Sequence, residues 1–173
     1  MKTTVLVFHP TLEKAYVHSR MAQAAREVGA EVRDMYSLYP DFRIDIEREQ
    51  RVLSEADRIV LQFPMYWYSS PALLKQWEDY TFQHGWAYGH EGKALVGKEL
   101  LLAISAGAKQ EDYQHEGRFR HTFEEILAPF EITAEHVNLR YMQPFVLSGT
   151  FGIEPEKLEE ELHNYQRVLS QPV

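Results

Sequence analysis

The sequence predicts a doubly wound α/β domain, with a five-stranded parallel sheet in the order 2-1-3-4-5 and helices on both faces. Three features of the chain predict it. Thr4–Phe8 (TVLVF), Arg58–Phe63 (RIVLQF) and Glu99–Ser105 (ELLLAIS) are nearly continuous apolar runs, as strands buried on both faces require. Segments with apolar residues at helical spacing lie between them. The chain has 173 residues, enough for one sizeable core and short for two, so residues 1–173 are expected to form a single domain.

The elements follow in order. Thr4–Phe8 ends at His9-Pro10 and reads as the first strand. Tyr16–Val28 places Val17, Met21, Ala24, Ala25 and Val28 on one helical face, and Gly29 follows as a stop. Glu31–Met35 is a short second strand, Ser37–Ile44 a loop, and Asp45–Ala56 a charged helix expected on the surface. Arg58–Phe63 is the third strand, stopped by Pro64. Pro71 opens a helix whose Leu73, Leu74, Trp77, Tyr80 and Thr81 share a face. Gly85–Gly97 is a long loop, and Glu99–Ser105 the fourth strand. Phe119–Ala128 is expected to be helical, Glu135–Tyr141 a weaker fifth strand, and Pro155–Leu169 a last helix with Leu158, Leu162, Tyr165 and Leu169 in register.

Composition removes whole classes of function. Asp and Glu number 26 against 18 Lys and Arg, a net charge of −8. That balance gives no electrostatic grip on a nucleic-acid backbone. There are no cysteines, which excludes disulfides, thiolate catalysis and Cys-ligated metals. The eight histidines show no HExxH spacing, so no metal site is expected. Met1–Phe8 is too short for a signal sequence, and no stretch reaches the roughly 18 apolar residues of a membrane span. A cytoplasmic protein is expected by elimination. There is no GxGxxG, GxxxxGK[ST] or G-x-S-x-G, against a dinucleotide fingerprint, an NTPase and a serine hydrolase.

In such a sheet ligands sit beyond the carboxyl ends of the strands at the switch point. That selects His9–His18, Pro64–Ser70 and Ser105–Tyr113. The first loop enters a helix whose N-terminus can hold a phosphate, and it is equally an ordinary strand–helix turn. The second carries Tyr66, Trp67 and Tyr68 between two prolines. Adjacent rings cannot all face one core, so they suit stacking on a planar ligand or an interface patch. The third, Ser105-Ala106-Gly107-Ala108, is small enough for backbone N–H groups to approach a ligand.

The run Gln62 to Trp77 (QFPMYWYSSPALLKQW), with Tyr36 to Phe42 (YSLYPDF), Ile44-Asp45-Ile46 and His84 to Gly89 (HGWAYG), resembles the flavodoxin-like NAD(P)H:quinone oxidoreductases. The likeness is to bacterial general-stress and potassium-efflux ancillary flavoproteins and, more distantly, to DT-diaphorase. It extends from Val5 to about Leu169. The resemblance implies a homodimer with its active site at the subunit interface and a bound flavin, FMN in the small members, with FAD as the alternative. His9 and Ala15, Tyr16, Val17 and His18 match the phosphate side. Met65, Tyr66, Trp67 and Tyr68 match the ring side, with Ser105, Ala106, Gly107 and Ala108 opposite. Tyr113 matches a catalytic tyrosine near the flavin carbonyl edge, and Trp86 and Tyr88 of the partner subunit match a wall of the substrate pocket.

The chain departs from the family pattern in three places. Ala15 and His18 stand where the phosphate loop usually carries serine and asparagine, and Ser105 to Ala108 replace Thr-Thr-Gly-Gly. Phe119 falls at the spacing of DT-diaphorase's histidine, with His115 and His121 nearby. The resemblance implies ping-pong, two-electron hydride transfer from NAD(P)H through flavin N5 to quinones or nitroaromatics. A regulatory subunit of a potassium-efflux transporter in the membrane, and an electron-carrier flavodoxin, are the rival functions.

Overall fold

The computed structural model describes residues 1–172. Its elements are β1 (Thr3–Val7), α1 (Tyr16–Glu27), β2 (Glu31–Asp34), α2 (Met35–Leu38), α3 (Ile46–Glu55), β3 (Arg58–Pro64), α4 (Ala72–Thr81), β4 (Glu99–Ser105), α5 (Phe123–His136), β5 (Arg140–Tyr141), β6 (Phe145–Leu147) and α6 (Pro155–Ser170). The strands pair in parallel in the order β2-β1-β3-β4-β5, with β6 also on β4. Every residue of β1, β3 and β4 is buried, which is why those three sequences are apolar with no alternation.

Successive side chains point to opposite faces of a strand, so each central strand feeds two cores. Leu6, Phe8, Ile59, Leu61, Leu102 and Ile104 pack with Leu53, Trp77 and Leu127 from α3, α4 and α5. Val5, Val7, Val60, Leu101 and Ala103 pack with Met21 and Ala25 of α1 and Leu158 and Tyr165 of α6. Leu158, Leu162, Tyr165 and Leu169 are all buried, as the spacing of the last helix requires.

Charge is buried at the amino end of the sheet. Arg58 and Glu99 open β3 and β4 opposite each other and form an ion pair. The Arg58 guanidinium also donates to the carbonyls of Val168 (3.1 Å), Leu169 (2.9 Å) and Gln171 (3.0 Å). It thereby caps α6, whose last carbonyls lack intrahelical donors.

The structure corrects several expectations. The predicted helix at Phe119–Ala128 runs instead from Phe123 to His136. Thr122 and Glu125 form a reciprocal capping box that fixes its start. Pro129 sits inside it on the exposed side. Glu135 and His136 therefore belong to α5, and the expected fifth strand, Glu135–Tyr141, becomes two short ones, β5 and β6, along β4. The loop at Ser37 begins with the helical turn α2, capped by the Asp34 carboxylate. The charged helix α3 is not merely superficial. Glu49 is fully buried and accepts hydrogen bonds from Arg33, Tyr39 and Trp77 Nε1, the last at 3.1 Å. Tyr80 is exposed, because Trp77 and Thr81 already fill the buried stripe of α4.

Candidate functional site

The carboxyl ends of β1, β3 and β4 deliver three loops to one edge of the sheet. Pro64 is registered with Ser105, and the Met65 amide donates to the Ser105 carbonyl at 2.8 Å. The second and third loops are therefore tied together at their roots.

The first loop closes a 3₁₀ turn over Leu12–Lys14 and reaches α1 through Ala15. Ala15 provides no side-chain cap, and the first turn of α1 holds no acidic residue. Among the described residues, the amides of Tyr16, Val17 and His18 have no hydrogen-bond acceptor. Uncapped amides and the positive end of the helix dipole favour an anion there. His9 accepts from the Thr11 amide at Nδ1 (3.2 Å), and burial pushes its pKa down although Asp34 opposes the shift. His18 does not face this anion cradle. Its ring is 2% exposed and turns toward the sheet, 5.4 Å from the His9 ring.

The second loop is a strained hairpin. Tyr66 and Ser69 exchange both backbone hydrogen bonds, at 3.1 and 3.0 Å. Trp67 and Tyr68 between them have φ of +49° and +62°. Two successive left-handed residues make the tightest hairpin turn, normally filled by Asn and Gly. Bulky residues there cost about 1–2 kcal/mol each. Tyr68 packs on Phe119, but Trp67 is 93% exposed, so no packing in this chain offsets the strain at Trp67. Strain held in place at an exposed aromatic is a mark of a binding surface.

The third loop divides in two. The Ala106 amide is bound to the Leu147 carbonyl (2.9 Å), and Ala106 itself is buried. Among the described residues the amides of Gly107 and Ala108 have no acceptor. Phe151 lies on Gly107 so closely that a Cβ there would come within 2.2 Å of the ring. Phe151 is itself 88% exposed.

Tyr113 lies in an aromatic stack, 4.0 Å from Phe123 and 4.8 Å from Phe119, and Phe119 in turn touches Tyr68 at 5.3 Å. Tyr113 is thus joined to the aromatic hairpin through Phe119. Burial raises its phenol pKa. His115 and His121 are exposed and paired locally, with Glu125 and with the Phe119 carbonyl.

Trp86 and Tyr88 are not brought together. Tyr88 lines a cavity of about 470 Å³ with Tyr68, Glu78, Phe82, Phe130 and His136. Burial pushes the Glu78 carboxyl up to about 7. Trp86 faces a separate groove beside Gln50 and Arg51 of α3. Sequence reasoning missed Gln62 and Phe151. Gln62 was detectable as the one uncharged polar residue in an otherwise apolar strand run. Phe151, an isolated ring next to Gly152, carried no such signal.

A family model described as "Flavodoxin-like fold" matches residues 1–169. The chain belongs to the flavodoxin-like fold family. A relative in Bacillus subtilis (strain 168), described as an uncharacterized NAD(P)H oxidoreductase, YrkL, is 49% identical over 160 residues, 92% of each chain. Among solved structures, general stress protein 14 of Treponema denticola, in complex with FMN, is 37% identical with a TM-score of 0.93 over 98% of both chains. An NADPH-quinone reductase of P. pentosaceus is 30% identical, with a TM-score of 0.89 over 100% of both. A chain described as a thermophilic tryptophan halogenase from Streptomycin violaceusniger is 41% identical, with a TM-score of 0.95 over 98% of this chain and 99% of that one.

Proposed function

We propose that this chain is an FMN-dependent NAD(P)H oxidoreductase acting by ping-pong transfer of two electrons to a quinone or nitroaromatic. The carrying observation is the strained hairpin that leaves Trp67 exposed beside a small-residue turn with unpaired amides. Similarity to a stress protein solved with FMN and to an NADPH-quinone reductase supports the reading.

The residues present fit FMN. The uncapped amides of Tyr16 to His18 would hold the phosphate, with Ala15 leaving them open and His9 beside them. Met65, Tyr66, Trp67 and Tyr68 would cover one side of the ring, and Ser105 to Ala108 its edge. Chemically, bound FMN would supply acceptance of a hydride, two electrons together, from NAD(P)H and delivery of both electrons to the acceptor. The Gly107 and Ala108 amides would stabilise negative charge developing at that edge. Tyr113, held by Phe119 and Phe123, would stand behind the Tyr68 side of the slot. The exposed aromatic hairpin exceeds what one chain covers, so a second copy would bring Trp86 and Tyr88 to the slot as partner residues.

The test is direct. The purified protein should be yellow, release FMN identifiable by mass spectrometry, and oxidise NADPH steadily with menadione, giving parallel double-reciprocal lines. A colourless protein that refuses added FMN and FAD would end the reading. Turnover of tryptophan with halide, and none of menadione, would move the function to that of the halogenase-described neighbour.

A further inference from the structure

Beneath the three loops runs a buried polar chain that crosses the whole layer from α6 to β4. Tyr165 Oη lies 3.3 Å from Gln62 Oε1. Gln62 Nε2 lies 3.1 Å from the His18 carbonyl and 3.3 Å from His18 Nδ1. His18 Nε2 lies 2.8 Å from Ser105 Oγ. Tyr165, Gln62, His18 and Ser105 are all buried, so each donor and acceptor has to be satisfied within the chain or by a ligand.

Their chemistry gives the chain one direction. A backbone carbonyl only accepts, so the Gln62 atom facing the His18 carbonyl is its NH₂ group. The same NH₂ therefore donates to His18 Nδ1, and Gln62 Oε1 receives the Tyr165 hydroxyl proton. With Nδ1 an acceptor, a neutral imidazole carries its proton on Nε2. Burial, reinforced by His9, lowers the His18 pKa from 6.5 to about 3, which keeps the ring neutral. Nε2–H then donates to Ser105 Oγ. The Ser105 hydroxyl proton is left over, and among the described residues no acceptor meets it. Ser105 ends β4 at the loop edge, and its carbonyl is already held by the Met65 amide. A buried hydroxyl with an unspent proton at a ligand crevice is a donor waiting for an acceptor.

We propose that His18 is a positioning residue that fixes Ser105 as a hydrogen-bond donor to an acceptor atom of the bound flavin cofactor, through a one-way relay Tyr165→Gln62→His18→Ser105. The proposal rests on the flavin reading. It also gives the chain's unusual His18 a role distinct from phosphate binding: the ring acts on Ser105 from behind and never meets the phosphate.

Three measurements test it. Long-range ¹H–¹⁵N correlation of the imidazoles, on the protein as purified and after flavin removal, should give His18 the Nε2–H tautomer in both. An Nδ1–H tautomer, or an ordinary titration in the FMN-loaded protein, would overturn the relay and leave the flavin reading standing. Ser105→Ala should weaken FMN binding about five-fold, the net worth of one hydrogen bond. His18→Leu should weaken it comparably, and the double variant no further than either alone. His18→Gln keeps an acceptor toward Gln62 and a donor toward Ser105, so it should restore near-wild-type affinity. Additive losses, or a His18→Gln protein as weak as His18→Leu, would overturn the proposal. Circular dichroism of each variant separates lost affinity from lost fold, and wild-type protein that binds no flavin would overturn both readings at once.

Discussion

His18 makes acid stability a sharp test of how the sheet is built. The ring is buried and neutral, with its pKa lowered from 6.5 to about 3. The unfolded chain takes up a proton below its ordinary value, whereas the folded chain does not until near 3. Stability from this residue is therefore complete above pH 6.5 and is lost as pH falls from 6.5 toward 3. One proton changes stability by about 1.4 kcal/mol per pH unit, so at about pH 5 the loss is about 2 kcal/mol. His18→Gln has the same length and polarity of hydrogen bonding but does not titrate. Urea unfolding of both proteins at about pH 7.5 and about pH 5 should show the wild type losing about 2 kcal/mol more than the variant. His9 and every carboxylate are common to both, so their contributions cancel. Equal declines in the two proteins would refute the neutral, desolvated ring from which the magnitude is worked.

Three further outcomes follow from particular contacts. Trp67→Gly removes a left-handed bulky residue that packs on nothing in this chain; it should raise unfolding stability by about 1 kcal/mol. The same variant should weaken FMN about ten-fold, measured by fluorescence titration. Gly107→Ala should displace the Phe151 ring, which lies 2.2 Å from the added Cβ. In a double-mutant cycle by urea unfolding, Gly107→Ala should then cost less in a Phe151→Ala background than in wild type. Arg58→Met leaves Glu99 paired with Arg140 and removes three donors from the C-terminal end of α6. Its cost should be about 2–4 kcal/mol in urea unfolding, with cofactor affinity per folded molecule unchanged.

The strands and most helices were legible because their burial is written in local periodicity. β4 was read residue for residue from ELLLAIS, since Glu99 and Ser105 bracket an unbroken apolar run. α5 was misplaced for the opposite reason. Its start is set by a two-residue polar exchange between Thr122 and Glu125, and Pro129 looks like a terminator until the helix is seen to tolerate it on its outer side. Glu49 illustrates the same limit. A glutamate in a charged helix reads as solvent-facing, and only its three donors, from β2, the segment after α2, and α4, explain its burial. In the site, the three loops were selected by topology and the aromatic cluster by its crowding. The inward turn of His18, the divided roles of Ala106 and Gly107, and the cover that Phe151 lays over the turn depend on atoms that meet from distant parts of the chain.

Sequence alone determined the α/β class, the strand order and the edge of the sheet where chemistry gathers, because hydrophobic periodicity and chain connectivity are local properties that a reader can count. Only the tertiary structure decided which way each polar group faces. Hydrogen bonding is short-ranged and directional, so Gln62, His18 and Ser105, spread over 44 and 87 positions of separation, acquire donors and acceptors only once the sheet has brought them within reach.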